Sequence, residues 1–202
     1  LKLLDRAELE ASLDFNLGAR NLLVTFHPVT LENSTATHQL QELLAALHEL
    51  HDTQLIFTMP NADTGSRALV RLIELFVAKH PNARAYASLG QLRYLSCLRQ
   101  VDGIVGNSSS GLTEAPSFRK GTVNIGDRQR GRIRADSVVD CAPERSAIVA
   151  ALDSLYSPEF QARVAKTRNP YGDGGASERV VETIVNIPLD GILKKKFFDM
   201  DA

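Results

Sequence analysis

Residues 103–114 read GIVGNSSSGLTE, a short apolar run followed by three serines framed by two glycines. The apolar run predicts a strand, the serines predict a turn, and the next segment predicts a helix from Thr113 to Phe118. Free backbone N–H groups and hydroxyls at the start of a helix favour a bound anion, so the turn is a candidate phosphate site. The alternative interpretation is a turn whose hydroxyls only cap the helix.

Glu114 lies about one turn into the predicted helix. A carboxylate pressed against a diphosphate would be repelled, whereas the same carboxylate accepts hydrogen bonds from sugar hydroxyls readily. A phosphate site beside a ribose site indicates a nucleotide ligand.

Composition excludes several classes of protein. The chain has 202 residues, 44% apolar and 23% charged, which is ordinary for one soluble domain with its own core. A net charge of −1, with both signs mixed along the chain, argues against nucleic acid or an anionic membrane as a partner. The sequence shows neither an apolar run of about 20 residues nor a secretory signal, so we expect a cytoplasmic protein. Cys97 lies in an apolar helical pattern and Cys141 follows a predicted strand, so we expect two buried thiols and not a disulfide. Neither cysteine has a second cysteine or histidine at zinc spacing.

Apolar runs of strand length recur along the chain, and apolar residues at helical spacing follow most of them. The six predicted strands cover residues 22–26, 55–57, 83–86, 103–105, 122–125 and 137–139. Ser66 is the predicted N-cap of the helix after the second strand. Because hairpin signals are few, the pattern predicts an α/β fold, a parallel sheet of about six strands with helices on both faces. We expect residues 1–202 to form one domain.

Ligands of such sheets bind beyond the carboxyl ends of the strands, so the residues that follow each strand are candidate site residues. His27 follows the first strand and Asn61 follows the second, although a packed histidine and a turn-forming asparagine are the alternatives. Leu89 follows the third strand. Arg128 follows the fifth strand and supplies a counter-charge for a diphosphate. It lies closer to the strand end than the three arginines after it, Arg130, Arg132 and Arg134.

Five motifs occur along the chain: FHPVT at 26–30, PNADTGS at 60–66, GNSSSG at 106–111 with Glu114, VNIGDRQRGR at 123–132 and NPYGDG at 169–174. Their order and spacing resemble those of the hydrolysing UDP-N-acetylglucosamine 2-epimerases. The resemblance runs from about Leu4 to Phe198 and corresponds to the C-terminal half of the enzyme. It implies the Rossmann-like C-terminal domain of a glycosyltransferase-B fold, whose active site lies between two domains. We therefore expect the chain to be part of a longer protein.

The resemblance also implies a set of UDP-binding residues. The matching positions are His27, Asn61, Leu89, Ser108, Ser109, Glu114 and Arg128. In the family, the positions that match Ser108 and Ser109 bind the diphosphate, and the position that matches Glu114 binds the ribose. Backbone groups at the position of Leu89 bind the uracil in the family. His27 matches a histidine that contacts the nucleotide sugar and is implicated in catalysis.

The family removes the C2 proton of the sugar, expels UDP and adds water to give N-acetylmannosamine for sialic-acid-type sugars. The acid and base carboxylates of the family lie mostly in the other half, so we expect the isolated chain to be inactive. No cofactor is expected, since the sequence has no metal-ligand cluster and no G-x-G-x-x-G fingerprint after the first strand. We expect the full-length enzyme to be a homo-oligomer that takes a UDP-sugar substrate.

Other functions remain open on the sequence alone. The UDP-sugar of an epimerase could be UDP-diacetylbacillosamine instead of UDP-N-acetylglucosamine. The same architecture, with a serine or glycine turn and a glutamate, also serves as the donor-binding domain of UDP-sugar glycosyltransferases. A third possibility is a nucleotide-binding module without catalysis.

Overall fold

The computed structural model describes residues 1–29, 35–61 and 65–194, which form six strands, eight α-helices and one 3-10 helix. The strands are β1 (Arg20–Thr25), β2 (Thr53–Thr58), β3 (Ala83–Tyr86), β4 (Gly103–Gly106), β5 (Gly121–Ile125) and β6 (Val138–Cys141). The helices are α1 (Arg6–Leu13), α2 (Ala36–Leu47), α3 (Ser66–Val77), α4 (Gly90–Gln100), α5 (Ser110–Thr113), α6 (Arg145–Tyr156), α7 (Pro158–Val164) and α8 (Ala176–Asn186). The 3-10 helix, Ala115–Phe118, follows α5. All six predicted strands are present.

The six strands form one parallel sheet in the order β3-β2-β1-β4-β5-β6. Strands β2 and β3 lie on one side of β1, and β4, β5 and β6 lie on the other side. The strand order therefore reverses between β1 and β4. The carboxyl ends of the central strands are level, since Thr25 pairs with both Thr58 and Gly106. The residues that follow β1, β2 and β4 therefore leave the sheet side by side.

Apolar residues of alternate strand positions are buried on opposite faces of the sheet. Leu22 and Val24 belong to a core with α2, α3 and α6, whereas Leu23 belongs to a second core with α1 and α4. A parallel sheet needs this cover on both faces because each strand buries both of its sides. The structure confirms the predicted α/β architecture with helices on both faces.

Two local predictions were wrong. The helix expected from Thr113 to Phe118 begins earlier, at Ser110, and ends after one turn, and a 3-10 helix with Pro116 at its start follows it. Proline has no N–H to donate, so the α-helical pattern is not continued there. The N-cap of α3 is Gly65 in a left-handed conformation, and Ser66 instead donates its hydroxyl to the carbonyl of Asn61.

The chain divides into two compact units, Leu1–Tyr171 and Gly172–Ala202. The first contains the whole sheet, and the second contains α8. All side chains of α8 are exposed, including its apolar residues Val180, Val181, Ile184 and Val185. Within the described residues, no helix has the length and apolar character needed to cross a bilayer.

Candidate functional site

A cavity of about 520 Å³ lies at the carboxyl edge of the sheet, where the strand order reverses. All seven residues predicted from the sequence line it: His27, Asn61, Leu89, Ser108, Ser109, Glu114 and Arg128. They come from the ends of five different strands or the turns after them, so the sheet topology is what brings them together. Four motif residues, Thr30, Ala62, Asp63 and Thr64, lie outside the described residues.

The serine turn begins at Gly106, whose backbone has a φ of +136°. A Cβ atom at this position would lie 1.9 Å from the carbonyl oxygen of Thr25, so only glycine fits between β4 and β1. Within the described residues, the N–H groups of Ser108 and Ser109 donate to no other group. The turn therefore leaves two backbone donors without a partner at residues that line the cavity, and an anion site needs such donors.

The capping interpretation accounts for only one of the serine hydroxyls. Ser109 stands at the N-cap position of α5, but its side chain accepts no capping hydrogen bond. The Ser108 hydroxyl accepts from the N–H of Ser110 at 3.4 Å, which is long for a hydrogen bond. The Ser109 hydroxyl lines the cavity without a capping role.

Asn107 connects the turn to the other side of the cavity. Its amide oxygen accepts from the backbone N–H of His27 at 2.8 Å, and its amide nitrogen donates to the His27 carbonyl at 2.8 Å. The backbone carbonyl of Asn107 accepts from Arg128 Nη1 at 3.0 Å and from Gln129 Nε2 at 2.8 Å. Asn107 is 1% exposed, so this network holds His27, the serine turn and Arg128 in one arrangement.

One hydrogen bond to the ring of His27 indicates which nitrogen accepts when the imidazole is neutral. The backbone N–H of Asn61 donates to Nδ1 of His27 at 3.3 Å. A neutral imidazole that accepts at Nδ1 carries its proton on Nε2, so this nitrogen is a donor. His27 is buried, with 8% of its surface exposed, and lines the cavity.

The remaining predicted residues differ in burial. Glu114 is exposed at the C-cap of α5, and Arg128 is half-buried, so the cavity has one anionic and one cationic group on its wall. Leu89 is buried at the N-cap of α4, and its carbonyl accepts from Arg93 Nε at 2.9 Å. Arg93 Nη2 also donates to the Ser88 carbonyl, so this arginine fixes the turn after β3.

Sequence reasoning missed several residues of the site, among them Asn107, Gln129 and Tyr94. Asn107 follows β4 directly, so the strand-end rule that selected His27 was a usable signal for it. Tyr94 lines the cavity from α4 and donates its hydroxyl to Ser110 Oγ at 2.6 Å. No local pattern signals that contact, because Ser110 lies 16 residues further along the chain.

The two thiols differ from their prediction in one respect. Cys97 is buried, whereas Cys141 at the end of β6 is half-buried, and both are free. Burial raises the pKa of Cys97 to about 12 and that of Cys141 to about 11. In residues 1–29, 35–61 and 65–194, no group of three or more histidine, cysteine, aspartate or glutamate side chains is arranged to hold a metal ion.

The family described as UDP-N-acetylglucosamine 2-epimerase matches residues 3–185. The chain belongs to this family. It is 33% identical over 202 residues to the GDP/UDP-N,N'-diacetylbacillosamine 2-epimerase (hydrolyzing) of Campylobacter jejuni, covering 99% of this chain and 52% of that protein. It is 39% identical over 172 residues to the polysialic acid biosynthesis protein P7 of Escherichia coli, covering 85% and 44%. The chain thus spans about half the length of these relatives.

Solved structures share the fold of this epimerase-family chain. The S. aureus MnaA structure with UDP has a TM-score of 0.70 at 16% identity, covering 91% of this chain and 48% of that one. The C-terminal domain of the glycosyl transferase group 1 family protein LpcC from Francisella tularensis has a TM-score of 0.53 at 12% identity, covering 91% and 94%. Identities this low show the fold alone, which is the Rossmann-like domain expected from the sequence.

Proposed function

We propose that this chain is the UDP-binding half of a hydrolysing UDP-N-acetylglucosamine 2-epimerase, which gives N-acetylmannosamine and UDP. The main support for the proposal is that all seven residues assigned to UDP from the sequence line the same cavity. Family membership supports an epimerase over the donor-binding domain of a glycosyltransferase, since the glycosyltransferase likeness extends to the fold only. A binding module without catalysis is the outcome if the full-length protein binds UDP and never turns over a UDP-sugar.

The serine turn and Arg128 supply what the leaving group needs. Expulsion of UDP places negative charge on the diphosphate, and donors already aimed at that position lower the barrier without reorganising. In the part of the chain that the structure describes, the N–H groups of Ser108 and Ser109 have no partner, and in this proposal they and the Ser109 hydroxyl act as such donors. The Arg128 guanidinium adds a positive charge held in place by the Asn107 carbonyl.

His27 acts as a proton donor in this proposal. Its Nδ1 already accepts a hydrogen bond from the Asn61 backbone, so its Nε2 is the nitrogen that carries the proton. A donor beside the departing diphosphate assists C–O cleavage as a general acid or through a hydrogen bond. The base that removes the C2 proton would come from the half that this chain lacks.

Glu114 and the turn at Leu89 complete the nucleoside site. The exposed Glu114 carboxylate is available to accept hydrogen bonds from both ribose hydroxyls. The uracil would lie against the turn at Leu89, where Arg93 holds the two carbonyls of Ser88 and Leu89 in a fixed orientation.

A second candidate substrate is UDP-diacetylbacillosamine. The C. jejuni relative is named for this sugar, and its match covers 99% of this chain. The seven residues assigned here contact the nucleotide, so they serve either sugar equally well. The name of the P7 relative supports a role in sialic-acid-type sugar biosynthesis. We further propose that the full-length protein is a cytoplasmic homo-oligomer.

Calorimetry with UDP tests the proposal on the 202-residue chain. We expect the chain to fold and to bind UDP weakly, because it forms one wall of a two-domain cleft. Ser109→Ala should lose about 1–3 kcal/mol of binding free energy if its hydroxyl meets a phosphate oxygen. Ser12→Ala, an exposed serine on α1, is the matched control and should bind as the parent does. A folded chain that gives no heat with millimolar UDP contradicts the proposal.

A further inference from the structure

Tyr94 and Ser110 form a side-chain contact for which the sequence assigned no role. Tyr94 lies on α4 and Ser110 is the first residue of α5, so their hydrogen bond of 2.6 Å joins two helices across the cavity wall. Both residues line the cavity, and Ser110 is buried. The contact therefore lies directly under the serine turn.

The Tyr94 hydroxyl belongs to a longer chain of hydroxyl groups. It also interacts with the hydroxyl of Thr25 at the end of β1. Thr25 Oγ1 in turn lies 2.6 Å from Thr58 Oγ1, at the end of the paired strand β2. The chain runs from β2 through β1 and α4 to the serine turn, and all four of its members line the cavity.

Burial keeps Tyr94 in the form that donates. Removal from water raises the pKa of Tyr94 to about 12, and the carboxylate of Glu114 contributes in the same direction. The phenol is therefore neutral across the physiological range. Because Tyr94 donates to Ser110, the Ser110 oxygen is an acceptor here and its own proton can be donated elsewhere.

The serine turn needs hydrogen bonds from other elements because α5 has only four residues. A helix of one turn has few internal hydrogen bonds and is not stable by itself. Thr122 donates to the Gly111 carbonyl at 2.8 Å, and Asn169 donates to the Thr113 carbonyl at 2.8 Å. These two ties hold the middle and the end of α5, whereas the tie from Tyr94 holds its beginning, next to the free N–H groups.

We propose that Tyr94 is a positioning residue which, through Ser110, fixes the serine turn in the orientation that receives the diphosphate. The proposal rests on the proposed function for the identity of the ligand. Its structural part, that Tyr94 orders the turn, does not depend on any ligand. The two parts can be tested separately.

The first measurement is amide hydrogen exchange on the ligand-free 202-residue chain. Tyr94→Phe should speed exchange of the amides of residues 110–114 by about five-fold, the size expected for loss of one hydrogen bond. Tyr86→Phe is the matched control, because the Tyr86 hydroxyl donates to the Leu13 carbonyl at 2.7 Å and burial raises its pKa to about 12 as well. Equal exchange in the two variants overturns the proposal whether or not UDP binds.

The second measurement compares binding of UDP with binding of uridine. Tyr94→Phe should weaken UDP about five-fold and uridine less than about two-fold, because only UDP carries the diphosphate. Ser110→Ala should have the same effect, and the double variant should be no weaker than either single variant, since both remove one interaction. Equal losses for UDP and uridine, or additive losses in the double variant, contradict positioning through Ser110. A parent chain that binds no UDP contradicts the proposed function, and the exchange result still decides the role of Tyr94.

Discussion

The carboxyl and amino edges of the same sheet use polar residues in opposite ways. At the amino edge, Asp102 Oδ2 accepts from the N–H of Asn21 at 2.7 Å, and the Arg20 guanidinium lies 4.7 Å from the centre of the Tyr156 ring. Arg20 Nη1 also lies 3.7 Å from the carboxylate of Asp52. At the carboxyl edge, backbone donors and a carboxylate face a cavity. Polar groups at the amino edge thus stabilise the fold, and those at the carboxyl edge are available to a ligand.

The difference follows from the direction of the strands. In a parallel sheet all carboxyl ends meet at one edge, and reversal of the strand order separates two connections there, which opens a crevice. Here that crevice lies between the turns after β1 and β4. The comparison therefore predicts that changes at the carboxyl edge alter ligand binding or turnover, and that changes at the amino edge alter stability alone.

The largest expected effect is on turnover. In the full-length protein, His27→Ala should lower kcat by about 100-fold or more, the usual contribution of one positioned proton donor. His51→Ala replaces an exposed histidine in the turn before β2, at the amino edge, and should leave kcat unchanged. Release of UDP and N-acetylmannosamine from UDP-N-acetylglucosamine measures both. Equal rates for the His27 variant and the parent would remove His27 from the chemistry.

The same assay tests the isolated chain. The 202 residues alone should give no detectable turnover, since proton abstraction needs a base from the other half and a cleft that closes to exclude water. Turnover by the 202-residue chain at a rate near that of the full-length protein would show that the essential groups are all present here.

The second effect concerns stability at the amino edge. Asp102→Ala removes an acceptor from the Asn21 N–H and should lower the free energy of unfolding by about 1.5–3 kcal/mol, as expected for a hydrogen bond to a charged group. Affinity for UDP in the folded state should not change. Asp153→Ala, an exposed position on α6, controls for loss of a charge. Urea unfolding and calorimetry give the two quantities, and a parallel loss of UDP affinity would contradict the separation of the edges.

Sequence reasoning predicted which residues lie side by side where one strand and the residue after it determined their position. His27, Asn61 and Arg128 were selected because each follows an apolar run, and a parallel sheet brings such positions together. Leu89 and the serine turn were found in the same way. The fold class followed from the same periodicity.

Sequence reasoning failed where side chains from distant elements meet. Apolar spacing alone does not describe the buried face of α4, because this helix buries the polar Ser96 together with Cys97 and Leu98, while Leu92 is exposed. Tyr94 therefore went unnoticed, although it contacts the serine turn. The start of α5 was misplaced because a run of serines reads as a turn, whereas the ties from Tyr94, Thr122 and Asn169 stabilise a helical turn there.

The third effect is a loss of stability in alkali that arises in the core beneath both edges. Burial raises the pKa of Cys97 from 9.0 to about 12. Keeping the thiol neutral in the folded state therefore stabilises the protein fully below pH 9, and this stabilisation is lost as the pH rises from 9 towards 12. At pH 10 the loss is roughly 1 kcal/mol. Urea unfolding at pH 8 and pH 10 measures it.

Cys97→Ala gives the control for this prediction. The variant loses some packing at every pH, but the part of the pH dependence that Cys97 contributes should disappear. The half-buried Cys141 contributes in the same direction, because burial raises its pKa to about 11. An unchanged pH dependence in Cys97→Ala would show that the thiol titrates alike in the folded and unfolded chains.

The smallest effect tests whether Glu114, at the carboxyl edge, binds the ribose of UDP. Glu114 is exposed on the cavity wall, and a carboxylate there accepts stronger hydrogen bonds from ribose hydroxyls than an amide does. Glu114→Gln should therefore weaken UDP about three- to five-fold and weaken the 2′-deoxy analogue less, since that ligand lacks one of the two hydroxyls. Glu74→Gln on the exposed side of α3 is the matched control. Calorimetry with both ligands gives the ratio. An equal loss for UDP and its 2′-deoxy analogue would mean that Glu114 acts through the short helix α5 and not through the sugar, and the ribose would then need another acceptor at this edge.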